Sequence, residues 1–181
     1  MRGLSTFSAA LLAIGIAGSA AGQTDAYKAQ IDQAKQFRLK GDLGKSDRIV
    51  SGVLAKDPQD FRANYTKGLI ELDRGATPSA VSVLNRALAS LKGQPAPDPT
   101  IYNTLGYALM NQGRLDEAGK AFQQGYAVRG SLARDSQQKL LNNMSLLYRL
   151  KGDKASSGRY LVEAARAGSA QAQGNLMRAA K

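Results

Sequence analysis

The chain contains 181 residues, of which 25 are Lys or Arg and 14 are Asp or Glu, so its formal net charge is +11. It contains neither Cys nor His. The absence of Cys excludes disulfides, thiol nucleophiles and thiolate metal sites. The absence of His excludes an imidazole base, a Ser-His-Asp triad and histidine metal ligands. An enzyme of this composition would have to work with Asp, Glu, Lys, Ser, Thr or Tyr alone.

The N-terminal segment has the pattern of a targeting sequence. Arg2 precedes an uncharged apolar run over residues 9–17, and small residues occupy positions 18–22. A basic start, an apolar centre and a small-residue exit are typical of a secretory signal peptide. We therefore expect a Sec-type signal peptide over residues 1–22, cut near Ala21 or Gly22, and a periplasmic or secreted protein.

Two other forms of this segment can be compared with the signal peptide. A lipoprotein signal is excluded because it needs a Cys just after the apolar run, and the chain has none. An uncleaved membrane anchor stays open, although the apolar run is shorter than the roughly 20 residues that a membrane span needs.

Glycines that precede polar turns recur along the rest of the chain. They are Gly41, Gly75, Gly113 and Gly152, and their spacings are 34, 38 and 39 residues. A fixed period in this range is the signature of a repeat architecture, so the sequence predicts four similar units.

The clearest unit surrounds the third of these glycines. It places Tyr102 ahead of Leu105 and Gly106, and after the turn it has Ala118 and then Phe122 four residues later. This pattern, and the first spacing of 34 residues, resemble the tetratricopeptide repeat (TPR) family. The resemblance implies an all-α, right-handed superhelical solenoid built from antiparallel helix pairs.

The resemblance divides residues 23–181 into a single TPR domain. The other turn glycines set the boundaries of the remaining units, and Ser169 to Ala180 indicates one more helix, which would cap the solenoid. The predicted units span about 27–60, 61–94, 99–132 and 138–171, with the cap at 169–181.

Small residues recur where the two helices of a unit are expected to cross closely. Units one and four carry Ser46 and Ser157 at the position of Ala118, and Ser is also small. A turn glycine permits the left-handed backbone that ends the first helix. The residues predicted to form this packing are Gly68, Ala80, Leu105, Gly106, Gly113, Ala118 and Phe122.

Two short motifs resemble catalytic sequences but lack their context. Gly44, Lys45 and Ser46 match the end of a phosphate-binding loop, but Leu39 stands where that loop needs its first Gly. Ser136 and Lys139 have the spacing of a penicillin-binding motif without its companion motifs. We predict no catalytic residue, no metal ligand and no cofactor.

In TPR proteins the first helices of the units line a concave groove, and the resemblance implies that a protein or peptide binds there. Asn side chains in the groove could hydrogen-bond a peptide backbone, and Lys and Arg could hold carboxylates. The predicted groove residues are Lys28, Lys35, Arg38, Arg62, Tyr65, Asn103, Tyr107, Lys139, Asn142 and Arg149, in rows that also contain Ile31, Leu69, Leu72, Thr100, Met110 and Leu146.

More than half of the positive excess lies in the fourth unit and the cap. Such an end favours anionic partners: acidic protein segments, an anionic membrane surface or the cell wall. Export argues against nucleic acid, and no stacking aromatic residues are interleaved with the basic ones. The basic residues of this end are Lys139, Arg149, Lys151, Lys154, Arg159, Arg166, Arg178 and Lys181.

These observations favour an extracytoplasmic adaptor or scaffold that binds a protein partner, in an envelope assembly. Exported TPR proteins of this size resemble accessory factors of pilus assembly and secretion, notably the TPR component of Tad-type pilus assembly. That component is usually a lipoprotein, from which this chain departs by lacking Cys. The competing class is an extracytoplasmic enzyme or a cell-wall or glycan-binding module. Paired carboxylates facing into the groove would favour that class.

Overall fold

The computed structural model describes residues 27–93, 95–96 and 98–179, so the predicted signal peptide lies outside the described residues. Over these ranges the chain forms nine α-helices and one short 3-10 helix, and no strand. The 3-10 helix spans Arg129–Ser131. The α-helices are α1 (27–39), α2 (Leu43–Lys56), α3 (Phe61–Asp73), α4 (Thr77–Ser90), α5 (Thr100–Asn111), α6 (Leu115–Ala127), α7 (Arg134–Leu150), α8 (Lys154–Arg166) and α9 (Ala170–Ala179).

The helices are arranged as successive pairs. Helices α3 and α4, α5 and α6, and α7 and α8 pack on each other most extensively, and each pair also contacts the next along the chain. Helix α9 packs on α8 beyond the fourth pair. The predicted all-α repeat fold is confirmed. No helix in the described ranges combines the length and apolar character needed to cross a bilayer.

The turn inside each pair has the same backbone geometry. At Gly113 φ is +73°, a left-handed value that only glycine adopts without strain. The backbone N–H of Arg114 then donates to the carbonyl of Leu109 at 3.0 Å, and that of Gly113 donates to Met110 at 3.0 Å. These two bonds end α5 and turn the chain back antiparallel. The same turn recurs at Gly41, Gly75, Gly152 and, between α8 and α9, Gly168.

The paired helices touch at the small residues. A Cβ atom at Gly106 would lie 2.5 Å from the ring of Phe122, and one at Gly68 would lie 2.6 Å from the side chain of Leu84. Contacts that short are not tolerated, so these helix pairs cross at a distance that glycine alone allows.

Units one and four use serine at these crossings instead. The Ser46 hydroxyl donates to the carbonyl of Ala34 at 2.7 Å. In unit four the Ser145 and Ser157 hydroxyls each donate to the other residue's carbonyl at 2.9 Å. Hydrogen bonds between helices therefore hold the crossings where the side chains are too small to interlock.

The irregular spacing of the turn glycines has two structural causes. Residues 91–99 separate α4 from α5, whereas residues 57–60 suffice between α2 and α3. Helix α7 has 17 residues, against 13 in α3, and the 3-10 helix precedes it. The first insertion lies between helix pairs, and the second lies partly between pairs and partly at the start of α7.

The buried core consists of two clusters that meet at α3. The smaller cluster joins residues of α1 and α2 to Ala63 and Ile70 of α3. The larger one begins at Phe61 and Tyr65 of the same helix and runs through the later pairs to Ala172 of α9. Opposite faces of this one helix therefore serve different parts of the molecule.

Candidate partner-binding groove

The first helices of consecutive pairs lie side by side, with α5 in contact with both α3 and α7. Most of the predicted groove residues line three cavities along this face. We call these the N-terminal, central and C-terminal cavities, and their volumes are about 190, 260 and 440 Å³.

The N-terminal cavity has mixed charge. Lys28, Lys35 and Arg62 line it together with Asp32 and Asp98. The Lys35 ammonium lies 3.4 Å from the Asp32 carboxylate, so part of this charge is neutralised within α1. This cavity therefore offers no strong preference for an anion.

Tyr65 also lines the N-terminal cavity, but it is 93% buried, with 7% of its surface exposed. Its hydroxyl lies 2.7 Å from the hydroxyl of Thr100 and 3.3 Å from that of Thr104. Burial raises the pKa of Tyr65. The side chain thus connects the second unit to the third.

The central cavity lies between α5, α7 and α9 and is lined mainly by amides and hydroxyls. The Asn143 side-chain amide donates to the Asn103 side-chain carbonyl at 2.9 Å. Tyr107 is 43% exposed here. Its lining residues are Asn103, Thr104, Tyr107, Lys139, Asn142, Asn143 and Gln171.

The C-terminal cavity lies between α7, α8 and α9. It shares three amide residues with the central cavity, so the two form one continuous surface, which we call the amide groove. Its lining residues are Asn142, Asn143, Ser145, Leu146, Arg149, Ser157, Leu161, Gln171, Asn175 and Arg178.

No carboxylate lines the amide groove, whereas Lys139, Arg149 and Arg178 do. The side chains of Lys139 and Arg149 make no hydrogen bond or ion pair with any residue that the structure describes. The amide groove is therefore positively charged, whereas the N-terminal cavity on the same face has mixed charge.

Several other basic residues are held by partners. Arg38 of the predicted groove pairs with Asp73 at 2.8 Å. Lys151 of the predicted basic end pairs with Asp116 at 2.6 Å, a hydrogen bond that lowers the pKa of Asp116 and raises that of Lys151. Lys181 lies outside the described residues. Lys139, Arg149 and Arg178 of this end line the amide groove, whereas Lys154, Arg159 and Arg166 lie outside it.

Two members of the predicted rows are not available to a partner. Ile31 is fully buried, in the smaller core cluster. Met110 is 6% exposed and belongs to the larger one. The expectation that they line the groove is wrong, because both side chains pack among the buried residues of the core clusters.

Helix α9 contributes Gln171, Asn175 and Arg178 to the groove, although the predicted groove rows contain no residue of α9. A signal for them exists. Gly174 has the place in α9 that the small residue Ser145 has in α7. Gln171 lies three residues before Gly174, Asn175 one residue after it and Arg178 four residues after it. The same offsets from Ser145 give Asn142, Leu146 and Arg149. Helix α9 therefore has the pattern of the first helix of a unit.

In the part of the chain that the structure describes, no group of three acidic side chains could hold a metal ion. What the groove offers chemically is a set of neutral donors and acceptors beside guanidinium and ammonium groups. Such a surface suits binding of a polar, negatively charged chain.

Solved structures with similar folds are numerous. Pseudomonas aeruginosa pilF matches with a TM-score of 0.71 and 18% identity over 81% of this chain. MamA matches with a TM-score of 0.66 and 17% identity over 81% of each chain. The APC/C hetero-tetramer Cut9–Hcn1 gives a TM-score of 0.73 and 17% identity, covering 86% of this chain and 30% of that one. This chain spans 63% of the length of pilF.

Two family models described as tetratricopeptide repeats match the sequence, over residues 31–99 and 99–130. No curated protein matches it. The two family matches cover more than half of the 181 residues, and the helix pairs around the turn glycines have the corresponding structure. The chain therefore belongs to the tetratricopeptide repeat family.

Proposed function

We propose that this protein is an extracytoplasmic adaptor that binds an extended segment of a protein partner in the amide groove, as part of an envelope assembly. TPR proteins are generally scaffolds for protein–protein interaction, and the chain has the fold of such a scaffold. The proposal adds two things to that general role: a binding site, which is the amide groove, and a cellular location. It assigns no enzymatic activity to the chain.

The observation that carries the proposal is the lining of the amide groove. Asn103, Asn142, Asn143 and Gln171 each offer both donors and an acceptor. A peptide backbone presents both kinds of group along its length, whatever its sequence. A groove of this kind can bind an extended segment through its main chain while the basic side chains select its charge.

The proposed setting rests on the signal peptide predicted over residues 1–22. An exported TPR protein meets partners in the periplasm or outside the cell, where acidic protein segments, the membrane surface and the cell wall are the available anions. A role as an accessory factor of pilus assembly or secretion is a second candidate, favoured by the similarity in fold to pilF.

The partner site is tested by affinity capture from envelope extracts. We expect the wild type to retain a defined set of proteins and the double variant Lys139→Glu, Arg149→Glu to lose them, because both charges line the amide groove. The matched control is the double variant Arg86→Glu, Lys154→Glu, which makes the same charge change at exposed cations on α4 and α8 without a side-chain partner among the described residues. Capture that is unchanged in the double variant would contradict the proposed site.

The setting and the absence of activity need separate tests. Cell fractionation with N-terminal sequencing should place the chain outside the cytoplasm, with a mature start near residue 22 or 23. A chain that stays in the cytoplasm would contradict the extracytoplasmic role. Hydrolysis of cell-wall or glycosidic substrates by the purified protein would contradict the adaptor and favour the enzyme or glycan-binding alternative.

A further inference from the structure

We propose that α9 is a binding element rather than only a cap: Arg178 of α9 and Arg149 of α7 together bind a carboxylate of an acidic segment in the partner. The inference rests on the proposed function, since it assumes a peptide partner, and it names the chemistry of that partner. It assigns Gln171, Asn175 and Arg178 to the site, in addition to the predicted groove residues.

Helix α9 is held in a fixed position against α7. The Gln138 side-chain amide donates to the carbonyl of Ala167 at 2.8 Å, just before the turn into α9. The Asn142 amide donates to the Ser169 hydroxyl at 2.9 Å. Ser169 is 3% exposed, and its hydroxyl accepts the backbone N–H of Ala172 at 3.2 Å, which caps the helix. The cap of α9 is thus anchored from the groove side.

The lining residues of α9 have the same spacing as those of α7. Gln171, Asn175 and Arg178 lie three before, one after and four after Gly174, the offsets that Asn142, Leu146 and Arg149 have from Ser145. The amide groups of Asn142 and Gln171 are in contact at 3.3 Å. Helix α9 therefore extends the rows of α7 by one further helix, and the groove does not end at the fourth unit.

The C-terminal cavity is positively charged. Two arginines and no carboxylate line its volume of about 440 Å³. The Arg178 guanidinium donates to the Asn175 side-chain carbonyl at 2.6 Å, and the Arg149 guanidinium makes no hydrogen bond to any described residue. A bound carboxylate would offset the repulsion between the two guanidinium groups, and each of these planar groups can bind it through two N–H donors.

The occupant is an acidic peptide rather than an anionic membrane. The cavity is a recess between three helices, with four amide side chains among its lining residues. A narrow chain can enter such a recess and bond to the amides, whereas a bilayer is a flat surface that would touch only its rim. A second carboxylate of the same segment would reach Lys139 in the central cavity, which adjoins through the shared amides.

The test is fluorescence anisotropy with two labelled decapeptides, one alternating Glu with Gly and the other alternating Gln with Gly. We expect the wild type to bind the Glu peptide more tightly, and added salt to weaken that binding. Arg178→Glu and Arg149→Glu should each weaken it by about tenfold or more, because a charge-assisted contact is lost and a repulsive one is added. Arg178→Lys should retain part of the affinity.

The matched control is Lys154→Glu, which makes the same charge change at an exposed position on α8 outside both cavities. It should leave the affinity for the Glu peptide within about twofold of the wild type. Circular dichroism of every variant checks that the helices are intact. An equal loss in the control would show that net charge, and not the cavity, governs binding, and would overturn the inference.

The remaining outcomes separate this inference from the proposed function. Envelope partners that are lost in the Lys139 and Arg149 double variant but kept in Arg178→Glu would leave the adaptor standing and overturn the role of α9. No capture by the wild type, and no difference between the peptides, would overturn both. Tight binding to phosphatidylglycerol vesicles that Arg178→Glu abolishes, without peptide binding, would assign the cavity to a membrane instead.

Discussion

Gly106 lies directly against the ring of Phe122, so closely that a Cβ atom at position 106 would be 2.5 Å from two ring carbons. The ring is fully buried between the helices of the third unit, where close packing opposes its displacement. The separation of α5 and α6 is therefore set by the absence of one methyl group. The position of the groove residues on α5 depends on that separation.

We expect Gly106→Ala to lower the free energy of unfolding by about 1–3 kcal/mol, the range for overpacking a core. The control is Gly52→Ala on α2, where a Cβ atom would meet nothing within 4 Å. That change should stabilise the protein by about 0.5–1 kcal/mol, because Ala is the better helix former. Urea denaturation of both variants checks the prediction, and equal stabilisation by the two would contradict the close contact.

The turn at Gly113 allows conformation to be tested apart from packing. Its φ is +73°, and a Cβ atom there would meet nothing within 4 Å. We expect Gly113→Ala to cost about 1–2 kcal/mol through the left-handed backbone alone, and Gly113→Asn to cost less, since Asn tolerates that region better. Denaturation midpoints should fall in the order Gly, Asn, Ala. An Ala variant as stable as the wild type would contradict the turn geometry.

Asp47 is the site of a predicted dependence of stability on pH. Burial disfavours its charged form, but hydrogen bonds from Lys67 and Arg74 outweigh that effect and hold the pKa of Asp47 below its ordinary value of 3.8. A group whose pKa is lower in the folded state stabilises the fold above the unfolded pKa. Its contribution is lost as the pH falls through the lower, folded value.

Asp47→Asn should therefore destabilise the protein by about 1 kcal/mol at pH 7. The difference from the wild type should shrink as the pH falls below 3.8. Urea denaturation at pH 7 and pH 3 measures it. Asp135→Asn serves as the control, because Asp135 is exposed and makes no hydrogen bond or ion pair with a described residue. A deficit of the same size at both pH values would mean that Asp47 acts through packing and not through its charge.

The bond between Asn142 and Ser169 predicts how firmly α9 is held. We expect Asn142→Ala to speed amide hydrogen exchange over residues 170–179 by about fivefold, equivalent to about 1 kcal/mol for one lost hydrogen bond. Asn103→Ala, which removes a bond to Asn143 on α7, should leave exchange in α9 unchanged. Unchanged exchange in the Asn142 variant would show that apolar packing alone holds the helix.

The repeat pattern was predictable because the geometry of a helix pair restricts which residue types can occupy its turn and its crossing point. A turn such as that at Gly113, and a close crossing such as that of Gly106 with Phe122, fix residue types at fixed separations, so they are visible in one sequence. The fourth pair is harder to recognise, and the family models do not extend over it. There Ser145 and Ser157 replace the usual small residues with a pair of hydrogen bonds.

The groove was predictable only in part, for physical reasons. Local spacing places a residue on a helix face, but the angle between units decides whether that face is open. Ile31 shows this, since its row position is regular and yet it is fully buried. The bond between Asn103 and Asn143 joins residues 40 positions apart, which no local pattern encodes. Arg178 could have been found by continuing the offsets past Gly174.

The division of the core at α3 has a consequence for how the molecule comes apart. The two clusters share no buried residue, and the N-terminal one is the smaller. Units of a repeat array contact only their neighbours, so we expect the two clusters to open separately. Opening of α1 and α2 would expose Ala63 and Ile70 but leave the interior of the later pairs closed. The end formed by α1 and α2 can thus unfold under heat or tension while the amide groove, at the opposite end, keeps its shape.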